Sequence, residues 1–127
     1  MEQVTLLIGR LLMAQIFLLA GLSKISAYEG TQGYMEAFGL PGGLLPLVIV
    51  FEVGAGLALI AGVLTRYVAW ALAAFSVVSA LVFHTDFGDQ TQMILFMKNL
   101  AMAGGLLFLG VTGAGALSLD ARLRAKG

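Results

Sequence analysis

Cysteine is absent from the 127 residues. That removes dithiol exchange, thiolate nucleophiles, haem attachment through CxxC and cysteine-ligated iron–sulfur clusters together. Any redox role therefore rests on a bound cofactor or a partner subunit. Charge is scarce too: 11% of the residues are charged, where an ordinary soluble domain carries about 25%. Histidine occurs once, as His84. A single histidine with Asp86 and Asp89 nearby falls short of a metal-ligand set, so no metal site is expected. No Lys or Arg precedes Arg10, and the first apolar run is too long for a signal-peptide h-region, so it reads as a retained helix. No basic patch with interleaved aromatics occurs, and nucleic acid is excluded as a partner.

What the chain has is apolar length. Hydrophobic residues make up 60% of it, more than a soluble protein of this size can cover. Four apolar segments, about 4–22, 44–64, 67–83 and 93–111, each approach the roughly 20 residues that span a bilayer. The expected fold is all-α: one integral membrane four-helix bundle over 1–127, with a short interfacial helix in the first outer loop and an amphipathic tail over 117–127. Its first partner is the lipid bilayer. Arg66, Arg122, Arg124 and Lys126 lie in the second loop and tail, while Glu29, Glu36, Asp86 and Asp89 lie in the first and third loops. The positive-inside rule then puts both termini in the cytoplasm.

Polar residues inside the apolar segments mark candidate sites. Arg10, Ala14, Phe17, Gly21 and Lys24 share one face of the first helix. In the first loop, Thr31 is placed to cap a short helix carrying Tyr34, Met35 and Phe38 on one side, with Gly39 and Pro41 ending it. Tyr34 reads as an aromatic anchor or a ligand contact. Glu52 sits mid-membrane in the second long helix, beside a Gly54, Ala58, Gly62 stripe suited to close helix approach. Thr65 and Arg66 are expected to end that helix. Ala69, Ala73, Ser76 and Ala80 fall in register with His84 in the third, a position for hydrogen bonding or proton transfer. The fourth carries Lys98 and Asn99 within its first turns. A lysine in hydrocarbon costs about 2.5 to 3.5 kcal/mol, so Lys98 must face protein, water or a partner. Ser118 is placed to cap the tail helix.

Taking all helices from a common cytoplasmic plane, Arg10 lies roughly 9 Å deep, Glu52 roughly 18 Å and Lys98 roughly 20 Å. Glu52 and Lys98 are then expected to touch, Arg10 to approach Glu52 from below, and His84 and Lys24 to close the same cavity toward the outside. With Arg10, Lys24, Lys98 and Glu52 all ionised, cations exceed anions by two, which a low-dielectric cavity tolerates poorly. A neutral lysine, a loop acid such as Glu36 or Asp86 folded over it, or an anionic ligand would each resolve the excess.

The residues Gly9-Arg10-Leu11-Leu12, Ala20-Gly21-Leu22, Lys24, Gly30-Thr31, Tyr34-Met35, Gly39-Leu40-Pro41, Glu52, Gly56-Leu57, Thr65-Arg66, Phe83-His84, Phe96-Met97-Lys98-Asn99-Leu100 and Gly104-Gly105-Leu106-Leu107 resemble the DoxX family of small four-helix membrane proteins of the bacterial inner membrane. Ala114 departs from that family's Gly-Pro-Gly near the end of the last helix. The family takes its name from a subunit associated with thiosulfate:quinone oxidoreductase and terminal-oxidase systems, and other members are linked to oxidative-stress resistance. The resemblance implies a redox-associated membrane subunit, associated with an oxidoreductase complex and without independent catalysis. Its cavity in the outer half of the bundle is expected to bind a quinone-like or small anionic ligand through Lys98, Glu52, His84, Arg10, Lys24, Asn99 and Tyr34, with no residue assigned a catalytic role. The competing readings are a scaffold or assembly subunit, and a small proton-coupled exporter acting as a homo-oligomer.

Overall fold

The computed structural model describes residues 1–126 and contains no strand among them. Helix α1 runs Glu2–Ser26, α2 Tyr28–Ala37, α3 Leu45–Ala61 after a 3-10 turn at Gly42–Leu44, α4 Thr65–Phe83, α5 Gln90–Thr112 and α6 Leu119–Lys126. Gly127, the last residue of the expected tail, lies outside the described residues. The helices α1, α3 with its leading turn, α4 and α5 are long and apolar enough to cross a membrane. Only 17 to 28% of the most apolar stretch of each is buried within the chain. Leu12, Leu47, Val50, Phe108 and Val111 point outward, a surface that water would not tolerate and acyl chains would.

The long helices pack as two pairs, α1 along α3 and α4 along α5, with far sparser contact between the pairs. Glycines set the approach of the first pair. A methyl group on Gly56 would stand 2.9 Å from the Leu18 backbone nitrogen, and one on Gly21 would stand 2.7 Å from Val53 Cγ2. The expected Gly54, Ala58, Gly62 stripe does not do this. Gly54 has nothing within 4 Å and faces outward, because α3 is apolar all round and its small residues alone do not mark the packed face. In the second pair, the Trp70 indole lies over Gly110, where any Cβ would collide with the ring. Ala14, Phe17, Leu59, Ala69, Leu72, Ala73 and Leu106 form the main core.

Helix α2 folds over one end of this assembly. It starts earlier than expected, so Thr31 is inside it rather than capping it, and the Thr31 hydroxyl donates to the Ala27 carbonyl at 2.8 Å. Met35 is buried with Leu45 and Ile49. Tyr34 stacks on Phe83 of α4 at a centroid distance of 5.3 Å and Phe38 meets the same ring edge-on at 5.1 Å, tying the flap to the far helix pair.

At the opposite end the tail closes the bundle. Thr65 and Arg66 begin α4 rather than ending α3, which stops at Gly62 in the left-handed region (φ 76°). The turn is stabilised from outside itself. Both carboxylate oxygens of Asp120 in α6 accept at the start of α4, from Leu64 N just before the helix at 2.8 Å and from Thr65 N, its first residue, at 3.0 Å, and the Asp120 amide donates to the Gly62 carbonyl at 2.9 Å. Those amides would otherwise lack partners at a helix start. Ser118 Oγ accepts from Ala121 N at 3.1 Å at the head of α6.

Candidate functional site

Two helix pairs that touch little leave space between them, and α2 roofs it. The result is a cavity of about 430 Å³ lined from α1 through α5. Its walls are largely apolar, from Phe17 and Ile16 on α1, Met35 on α2, Val48 on α3, Phe75 and Val82 on α4, and Leu95 and Met102 on α5. Six polar residues expected at the site, Lys24, Tyr34, Glu52, His84, Lys98 and Asn99, all contribute to the lining.

Glu52 is buried, 2% exposed, and its partner is Lys24: the ammonium lies 2.6 Å from Oε1. The expected direct contact with Lys98 is not made. The pairing follows from the register of α1. Gly21 packs at Val53 and Gly56 at Leu18, and Lys24, one turn beyond Gly21, reaches back along the helix as side chains there do. The Lys24 ammonium thus neutralises the one acid that lines the cavity. Lys98 has no ion-pair partner among the described residues and stands exposed at the cavity's α5 wall. Glu36 and Asp86, the loop acids considered as its counter-charge, are exposed and lie outside the cavity lining.

Asn99 donates from Nδ2 to the Ser76 carbonyl at 3.2 Å, joining α5 to α4. His84 ends α4, and its Nδ1 lies 2.9 Å from Gln92 Oε1. Ser76 is the residue that sequence reasoning undervalued. It lies on the packed face of its helix, as expected, and also lines the cavity, and its hydroxyl is buried with no partner. Buried hydroxyls are nearly always satisfied, which sets this one apart among the residues that line the cavity. The four-residue spacing from Ser76 through Ala80 to His84 carried that signal.

Arg10 does not belong to this cavity. Its guanidinium donates to the carbonyls of Ala114 at 2.7 Å, Leu117 at 2.9 Å and Ile60 at 3.3 Å. It is a buried clamp on the tail, far from Glu52 along α1. The first turns of α1 overhang the α3–α4 turn, and the chain after Gly113 folds against them, with Gln3 Oε1 accepting from Ala116 N at 2.7 Å. No group of three or more His, Asp or Glu suited to a metal occurs among the described residues.

The fold defines a polytopic helical membrane protein with a cavity between its helix pairs. The chain belongs to the DoxX family, whose model matches residues 5–85, α1 through α4. It is 48% identical over 126 residues to the Escherichia coli inner membrane protein YqjF, covering 99% of this chain and 97% of that one. It is also 36% identical over 127 residues to the inner membrane protein YphA of the same organism, with 94% and 90% covered. With four candidate spans, these relatives make it a DoxX-family inner membrane protein. No solved structure matches it.

Proposed function

We propose that the chain is a redox-associated inner-membrane subunit that binds the ring of a quinone-like ligand in the cavity between its helix pairs. The carrying observation is the combination of an aromatic and aliphatic wall with the orphaned Ser76 hydroxyl and the unpaired Lys98 ammonium. A planar ring suits Phe17, Phe75 and Met102, while its carbonyl oxygens need donors, which Lys98 and Ser76 supply. The cavity falls in the usual ligand range of about 300 to 1,000 Å³. The absence of cysteine means the chain carries no thiol couple of its own, so a membrane oxidoreductase complex is the setting proposed for it.

The test is binding of a short-tail ubiquinone analogue to protein in lipid nanodiscs, read by native mass spectrometry. Because the Ser76 hydroxyl has no partner in the protein, Ser76→Ala should leave stability unchanged or slightly raised. It should weaken binding by roughly three- to tenfold, the loss expected for one hydrogen bond. Lys98→Met should weaken it further. Wild-type protein that retains no analogue, or variants that bind as well as wild type, would remove the ring-binding reading. Equal competition by benzoate would move the assignment to a small anion.

A further inference from the structure

A second cavity, of about 580 Å³, lies at the other end of the bundle where α4 begins, α5 ends and α6 crosses beneath them. Two arginines line it, Arg66 from the first turn of α4 and Arg124 from α6. Neither forms an ion pair within 4 Å among the described residues. The one acid in the lining, Asp120, accepts from the Leu64 and Thr65 amides with its two oxygens, and its single charge offsets one of the two arginines. Those bonds and nearby Arg124 hold its carboxyl below the usual carboxylate range even though burial alone would raise it. The cavity therefore keeps an excess of cationic donors. The Arg66 guanidinium runs beside Gly113, where a Cβ would come within 3.2 Å of Nε, so its plane is held against the end of α5. The rim is apolar and outward-facing, with Leu64, Tyr67 and Leu123 61 to 70% exposed.

We propose that this cavity binds a phosphate group, that of an anionic phospholipid headgroup, between Arg66 and Arg124, with the lipid's acyl chains lying along Leu64 and Tyr67 toward Val111. Guanidinium groups pair with phosphate oxygens in two-point contacts, and basic cavities at helix ends in the headgroup zone are suited to lipid phosphates. The apolar rim favours a lipid over a free anion, because a headgroup phosphate held here is continuous with the acyl chains that cover Leu64 and Tyr67. The site is separate from the ligand cavity under α2 and does not rest on the reading given there.

The experiment is native mass spectrometry of the detergent-extracted full chain titrated with phosphatidylglycerol, phosphatidylethanolamine and inorganic phosphate, with thermal melting in parallel. Wild type should retain one phosphatidylglycerol in preference to phosphatidylethanolamine. Arg66→Gln with Arg124→Gln should weaken that retention roughly tenfold or more, the loss expected for charge-assisted bonds. Arg66→Lys with Arg124→Lys should restore it in part and so separates loss of the site from loss of the fold. Arg122→Gln removes a charge from the same tail but outside this lining, and should bind as wild type does. If Arg122→Gln weakens retention as much as the double variant, or both lipids bind equally, the built site is refuted. If inorganic phosphate protects as well as phosphatidylglycerol in an Arg66- and Arg124-dependent way, the lipid assignment is overturned.

Discussion

Replacing Lys24 by methionine should destabilise this protein more than replacing Glu52 by glutamine, although both break the same 2.6 Å ion pair. The asymmetry comes from exposure. The Glu52 side chain is 3% exposed and the Lys24 side chain 30%. A lysine stranded by Glu52→Gln swings its ammonium toward the outer interface on a flexible stem, at a cost on the order of 1 kcal/mol. A carboxylate stranded by Lys24→Met has no such exit, because α3 holds it against Gly21 of α1. Its cost approaches the roughly 3 to 5 kcal/mol of an uncompensated buried charge. Removing both charges should bring stability back to within about 1 kcal/mol of wild type, since the pair gains little over an apolar or amide replacement once its desolvation is counted.

The assay is reversible unfolding in mixed micelles by SDS titration, run on wild type, both single variants and the double variant. The expected result is a coupling energy of at least about 3 kcal/mol, with Lys24→Met the worst of the four. Equal single-variant losses that simply add in the double variant would refute the reasoning. The pair would then be two separate polar contacts rather than mutual neutralisation.

Gly56→Ala should separate α1 from α3, because the new methyl would meet backbone atoms of Leu18 at 2.9 and 3.1 Å, which cannot rotate away. A loss of about 1 to 3 kcal/mol is expected, read in the same unfolding assay, whereas Gly54→Ala should be neutral because nothing lies within 4 Å of it. Asp120→Ala should cost roughly 0.5 to 2 kcal/mol as a lost helix cap. Since the Asp120 carboxyl is lowered in the folded protein, its contribution is fully present above its unfolded value near 3.9 and is lost as pH falls through the folded value. The melting-temperature gap between wild type and Asp120→Ala should therefore be widest near neutral pH and close in acid, and a gap constant with pH would show that Asp120 acts by packing.

The spans were legible because apolar length is a strong signal and the inward faces of two helices were unambiguous. Arg10, Ala14, Phe17 and Gly21 are the buried residues of α1, and Ala69, Ala73, Ser76 and Ala80 are buried on α4. On α3 the small-residue stripe misled. In a helix apolar on every side a glycine facing lipid looks the same as one facing a neighbour, and only the register of α1 selects Gly56 over Gly54. The tail's contact with the bundle was not legible for a related reason. Asp120 caps a helix that starts 55 residues before it, and capping signals in sequence are local.

The ion pair was assigned to the wrong lysine because depth was counted from a common plane. Arg10 is level with the α3–α4 turn, as its bond to Ile60 O and its approach to Gly62 require. From there Lys24 lies roughly 21 Å up α1 and Glu52 roughly 15 Å up α3. The difference of about 6 Å is within reach of a lysine directed back toward its own N-terminus. Once α1 is shifted by this overhang, Lys24 neutralises Glu52 and Arg10 is spent on tail carbonyls. The sequence's excess of cations then reduces to Lys98 alone at the cavity wall. A single unpaired ammonium at the wall is a smaller and more specific demand than a doubly cationic cavity, and one polar ligand atom would meet it.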